Sequence, residues 1–346
     1  MFNSKVISFA IATTMLATPA LSQVKLTADT AAPGDAPHLT TSHLAAVASS
    51  KGIANLQVNA GQTLSNSVQK VASGNTDVTV APMILVLLMK KGLAMYGGLG
   101  KEKGAELADN LRLLFPYFLG SYHLVSYQSS GIDSFQDLKG KKVHNGPPRG
   151  GALNDARNII RLVTGMTDGK EYTGRQVPWP QAPSMMLDGS VDASLRPGSF
   201  PSNWMTVIGS AGKMNLISVP KSVFESKKFQ GFSRSPGHAP IVLDKAETGY
   251  GDKVKLISED GKYRSISITG GDVVHKRMSN DLAEKLVTAF MGSLSDFYKK
   301  APFAKAMGHA GINTNVSMCG PIGLKYHPGA IIAIEKAGYK IPACAK

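Results

Sequence analysis

Cysteine is nearly absent from this sequence: two in 346 residues, Cys319 and Cys344, both close to the C-terminus. No Cys-x-x-Cys occurs, which leaves no thiol pair for a zinc ribbon or a redox centre. The eight histidines include no pair four residues apart, so no helical metal face forms, and neither metal nor cofactor is expected. Long apolar runs are missing as well. After residues 6–16 the next such stretch covers only 81–89, too short to span a bilayer, and it reads as a buried core helix. Acid is scarce: 24 Asp and Glu stand against 38 Lys and Arg, a net charge of +14. Nucleic acid is the reflex partner for such a charge, yet no recognisable nucleic-acid motif is present. The basic residues are scattered, with Lys139, Lys141 and Lys142 the densest cluster, and the excess at most concentrates anionic solutes nearby. Internal repeats, low-complexity tracts and Gly-x-Ser-x-Gly are all lacking. Ser67 and Ser218 each open a Ser-x-x-Lys, but no Lys-Thr-Gly or Ser-Asp-Asn accompanies them. An exported enzyme of serine-hydrolase type is therefore the weaker alternative, beside an antigenic surface or adhesion protein.

What is present begins with a processing signal. Lys5, the apolar core 6–16 and Ala20-Leu21-Ser22 before Gln23 have the order of a signal peptide, residues 1–22. Its removal deletes one lysine and no acid, leaving +13. No lipobox cysteine lies near the cleavage pattern, so the mature chain is expected to be free in the periplasm. In that oxidising compartment Cys319 and Cys344 are expected to pair, a closure worth about 3 kcal/mol in the chain-entropy model.

The mature chain alternates. Strands are expected at 24–28, 55–59 and 77–80, with helices at 41–50, 62–72 and 83–90 between and after them. This order predicts a parallel, doubly wound α/β sheet, whose ligands lie outside the carboxyl ends of the strands. Residues 111–127, punctuated by Pro116 and Gly120, read as a pair of strands. A second series follows: strands at 142–144, 176–179, 192–195 and 214–219, with helices at 152–163, 182–187 and 221–229. Residues 231–262 show no period. A strand at 263–269 returns to the first series. Asn280 is expected to cap a helix striped by Leu282, Leu286, Phe290, Leu294 and Phe297, and His327 orders a last helix with Pro328 in its first turn. The chain thus divides into lobe 1 (23–127 and 263–346) and lobe 2 (128–262), two doubly wound β/α lobes joined by crossover strands.

Residues 141–160 carry the clearest site signal. A short strand, a Gly- and Pro-rich loop and an amphipathic helix with Ala152, Ala156, Ile159, Ile160 and Val163 on one face follow one another. Such a turn aims backbone N–H groups and the positive end of the macrodipole at whatever lies in front. Asn145, Arg149 and Gly150 sit in that loop. Arg196 follows another strand of lobe 2, and an arginine grips a carboxylate in a bidentate way that lysine does not. The competing role of Arg149 and Arg196 is an ion pair at the surface or between lobes. Thr40, Thr41, Ser42, Ser65, Asn66 and Ser67 offer donors from lobe 1, or else cap helices. His43 is a further contact, and Trp179 either walls the pocket or fills the core.

Four phrases resemble one family. Ser134-Phe-Gln-Asp-Leu-Lys-Gly-Lys-Lys-Val143 is similar to the segment that opens the second lobe of type II periplasmic solute receptors. Ser67-Val-Gln-Lys-Val-Ala-Ser-Gly-Asn-Thr-Asp-Val-Thr-Val80, Leu187-Asp-Gly-Ser-Val-Asp-Ala193 and Tyr326-His-Pro-Gly-Ala330 with Gly338 resemble segments of the TAXI solute receptors. Those receptors serve tripartite ATP-independent periplasmic (TRAP) transporters. The resemblance implies a type II periplasmic binding protein-like clamshell that closes as a monomer on a small organic anion, such as a dicarboxylate, 2-oxoglutarate or glutamate. It also implies delivery to a TRAP permease. The departures fall in loops that face the ligand: Leu39-Thr-Thr-Ser-His43, Gly146-Pro-Pro-Arg-Gly150 and Ser194-Leu-Arg-Pro-Gly198.

Overall fold

The computed structural model describes residues 23–148, 150–309 and 318–346, so the expected signal peptide and Arg149 lie outside the described residues. In lobe 1, β1 (Val24–Asp29), β2 (Ala54–Asn59) and β3 (Val78–Pro82) alternate with α1 (Ala36–Ser50), α2 (Leu64–Ala72) and α3 (Met83–Lys91). The strands pair in parallel, Leu26 beside Leu56 and Ala28 beside Val78. Parallel neighbours need a crossover long enough to hold a helix, and α1 and α2 supply it. Met83, Leu85, Val86, Leu87 and Met89 of α3 are buried, the core helix that the short apolar run predicts. The stretch Met83–Asp109 passes a composition test for a membrane span, but it is not one rod. Gly92, at φ 62°, ends α3, and α4 (Gly100–Asp109) carries Lys101, Glu102, Lys103 and Glu106.

Two long antiparallel strands join the lobes. Leu111–Tyr127 is one strand, β4, of 17 residues and not the expected pair. Its neighbour is β11 (Lys262–His275), longer at both ends than the period of its sequence suggests. Pro116 lies opposite Gly271, and a Cβ at Gly271 would stand 2.3 Å from the Phe115 carbonyl. Glycine there lets the two backbones close up around the proline. Partners then change along each strand. β11 pairs with β9 (His238–Asp244) over 262–268 and with β3 over 270–274. β4 pairs with β7 (Ala193–Gly198) over 121–126.

Lobe 2 continues the sheet through β7, β5 (Lys142–His144) and β6 (Thr173–Arg175), giving the order β2-β1-β3-β11-β4-β7-β5-β6. Helices α5 (Gly151–Thr164), α6 (Ala182–Leu187) and α7 (Asn203–Ile208) cover it. β8 (Met214–Ile217) pairs with β4 and with β10 (Val254–Ile257). Two expectations change here. The strand at 176–179 is replaced by β6, with Trp179 opening a 3-10 turn. The helix at 221–229 divides into α8 (Lys221–Phe224) and α9 (Lys227–Ser233), because Ser226 accepts from the Phe229 N–H and caps a new start.

The chain closes on lobe 1 with α10 (Asn280–Gly292), α11 (Leu294–Lys300), β12 (Lys325–Tyr326) and α12 (Pro328–Lys336). Ser279, not Asn280, is the cap of α10. The expected stripe breaks at Ser293, so Leu294 and Phe297 belong to α11. Phe115 stacks on Phe290 at 3.9 Å and ties α10 to β4. His327 caps α12 by accepting from the Gly329 N–H at 3.2 Å. Cys319 and Cys344 form a disulfide, with Cα atoms 5.6 Å apart.

Candidate functional site

Four helices begin at one place. The N-caps Asp35, Thr63, Pro82 and Gly150 of α1, α2, α3 and α5 all line a single cavity of about 70 Å³ between the lobes. None of the four is capped by a side-chain hydrogen bond. The first turn of a helix has N–H groups without intrahelical partners, and its end of the macrodipole carries roughly half a positive charge. Four such ends direct positive potential at one space whose wall, among the described residues, has no lysine or arginine and also holds the Asp35 carboxylate. The rest of the wall is mostly carbon, from Leu64, Leu85, Leu119, Trp179, Pro197 and Ile268 among others. By the measure in which one water needs about 10–15 Å³, the space holds a group of a few heavy atoms.

Beside the cavity an ion pair crosses the cleft. Arg196 of β7 donates from Nη2 to Asp35 Oδ2 at 2.9 Å, linking lobe 2 to the start of α1. Its guanidinium lies between two indoles, 4.6 Å from the Trp179 centroid and 4.7 Å from that of Trp204. Only 2% of Arg196 is exposed; Asp35 and the two indoles cover it. Burial raises Asp35 above the ordinary carboxylate range, and the Arg196 charge draws it part of the way back. Arg196 Nε, Ser202 Oγ and Trp204 Nε1 are buried without a hydrogen-bond partner among the described residues. Gly198 makes this packing possible, since a Cβ there would stand 2.8 Å from both Ser202 Oγ and Trp204 Nε1.

Asp155 is the other acid on the cavity wall. It accepts on Oδ2 from the Tyr122 hydroxyl at 2.9 Å and faces His238 Nε2 at 3.1 Å. His238 Nδ1 in turn lies 2.9 Å from Ser235 Oγ. The order Ser235–His238–Asp155 looks like a hydrolase relay. The Ser235 hydroxyl, however, donates to the Phe232 carbonyl at 2.7 Å, so its proton is engaged by backbone.

The expected site residues disperse. Ser65, Gly150 and Trp179 line the cavity, and Arg196 adjoins it through Asp35. Thr40, Thr41, Ser42 and His43 do not, because α1 starts at Ala36 and carries them into its second turn and beyond. Thr40 Oγ1 meets His309 Nε2 at 3.0 Å, and Thr41 donates to Asp272 Oδ2 at 3.0 Å. Ser42 lies 3.5 Å from His38, and His43 bonds Ser293 at 2.8 Å and stacks on Phe297. Ser67 donates to Asp29, which Lys70 also contacts, and Asn66 is exposed. Asn145 donates to Asp168 at 3.2 Å. Asp35 and Asp155 were missed in sequence. Asp155 did carry a signal: an acid among the residues of the buried stripe of α5.

A family model described as the NMT1-like family matches residues 30–335. Among solved structures the chain is similar to a protein from Bordetella bronchiseptica RB50, at 15% identity over 94% of this chain and 92% of that one, with a TM-score of 0.47. It is also similar to a TRAP periplasmic solute binding protein from Polaromonas sp. JS666 bound to D-erythronate (12% identity, 91% and 93% covered, TM-score 0.45). A third is the periplasmic ectoine-binding protein of the TeaABC TRAP transporter of Halomonas elongata (11% identity, 90% and 90% covered, TM-score 0.44).

Proposed function

The chain belongs to the NMT1-like family, and from that premise we propose that it is a periplasmic receptor that closes on one small organic anion and presents it to a TRAP-type membrane permease. The observation that carries this reading is the convergence of four uncapped helix N-termini on one cavity. Backbone N–H groups held by four helices need no reorganisation when an anion enters, and their dipoles act most strongly where water is excluded. Apolar walls suit the carbon skeleton of such a solute. The cross-cleft pair of Arg196 and Asp35 supports closure as the working state, with solute favouring a closed form that the free protein already visits.

Isothermal calorimetry tests the reading. Protein freed of carried-over solute by unfolding and refolding is titrated with mono- and dicarboxylates, amino acids, sulfonates and phosphates. One class of anion binds with a stoichiometry of one per chain. Binding only of neutral sugars or cations would sink the proposal, and turnover of a bound compound would favour the hydrolase alternative.

A further inference from the structure

Asp155 is hard to reconcile with a plain anion. Its carboxylate shares the cavity with the helix ends that attract negative charge, and it also lines the adjoining groove of about 670 Å³. Its two protein partners, Tyr122 and His238, both fall on Oδ2. Among the described residues Oδ1 has no hydrogen-bond partner. The carboxylate is nonetheless fixed in orientation: α5 carries it, β4 supplies Tyr122, and β9 supplies His238, itself held by Ser235. Asp35, the other acid on the wall, is taken up by Arg196. An oriented carboxylate with one oxygen open to a cavity is an acceptor waiting for a donor.

We infer that the solute carries, besides its anionic group, an N–H or O–H donor that binds Asp155 Oδ1. This rests on the receptor reading and narrows it to amino acids or hydroxy acids. The spacing follows from the helix. Gly151 and Asp155 both face the cavity and lie one turn apart, about 6 Å along the axis of α5. An anionic group at the α5 N-terminus then places the donor on the carbon next to the carboxylate or one further along. An unsubstituted acid would leave the Asp155 oxygen desolvated and unpaired, which is the kind of mismatch that binding sites reject most strongly.

The test is calorimetry of refolded protein with butanoate, 2- and 3-hydroxybutanoate, and 2- and 3-aminobutanoate. At least one substituted acid binds tenfold or more tightly than butanoate. Asp155→Ala reduces that preference to less than twofold. Asp155→Asn, which keeps a neutral acceptor, separates the two donor chemistries: a hydroxyl ligand keeps most of its advantage and an ammonium ligand loses it. Near-ultraviolet circular dichroism checks that each variant is folded, and Tyr122→Phe, which leaves the carboxylate but removes one of its guides, weakens the preference severalfold. Butanoate binding as tightly as every substituted acid overturns this inference while leaving the anion receptor standing, as does a preference that survives Asp155→Ala. Binding of no acid at all overturns both.

Discussion

Asp35 and Asp272 are both aspartates removed from water, and they are held in opposite ways. Asp35 faces a guanidinium across the cleft. Asp272, on β11 where the lobes join, meets only hydroxyls among the described side chains: Tyr117 at 2.7 Å and Thr41 at 3.0 Å. Burial pushes Asp272 up to about 7, with the two hydroxyl donors opposing it. One acid is tied to closure through a charge from the other lobe. The other stitches α1 and both crossover strands together with neutral hydrogen bonds. The cleft pair should therefore respond to solute and the hinge cluster to pH.

Arg196→Ala breaks the first half of that contrast most severely. It leaves Asp35 without its counter-charge and removes the stack on two tryptophans, a loss of about 3–5 kcal/mol for a buried pair that loses one partner. Solute affinity falls at least tenfold and the melting temperature drops. Unchanged affinity would remove the pair from the closing mechanism. Thr41→Val attacks the second half: it takes one of two donors from Asp272 at a cost of about 1–3 kcal/mol, lowers the melting temperature, and leaves solute affinity within twofold once the protein is folded.

The pH dependence is gentler. Because Asp272 holds its proton to about pH 7 when folded and to about 3.8 when unfolded, the folded state binds more protons between those values. Its contribution to stability is complete below pH 3.8 and is lost as pH rises through 7. Between pH 6 and 8 the wild type loses roughly 1 kcal/mol relative to Asp272→Asn, read from parallel thermal melts. Parallel curves would contradict the assignment. The smallest effect is expected at the exposed Lys285–Asp281 pair on α10, where Lys285→Ala shifts the melting temperature by about 1 °C or less.

How much of this was legible in the sequence depends on whether the deciding contact is local. The β-α alternation of lobe 1 follows from apolar period and turn residues, and α3 from an apolar run of core-helix length. β4 was divided at Pro116 and Gly120 because its continuity depends on Gly271, a partner far along the chain. β9 and β10 were invisible since both are half-exposed, with burial patterns that show no clean alternation. Arg196 was singled out as either a solute contact or an inter-lobe ion pair. The partner that decides its position, Asp35, lies 161 residues away. The loop expected at 39–43 became helix because Pro37, well suited to a first helical turn, starts α1 earlier.

The most direct test uses the chain's only two tryptophans, Trp179 and Trp204, which both flank Arg196 at the cleft. Their emission therefore reports on closure without background from elsewhere. Titration of refolded, solute-free protein with a small hydroxy or amino acid is expected to shift that emission saturably, with neutral sugars of the same size leaving it unchanged. A saturable response to the sugars and none to any organic anion would contradict the account.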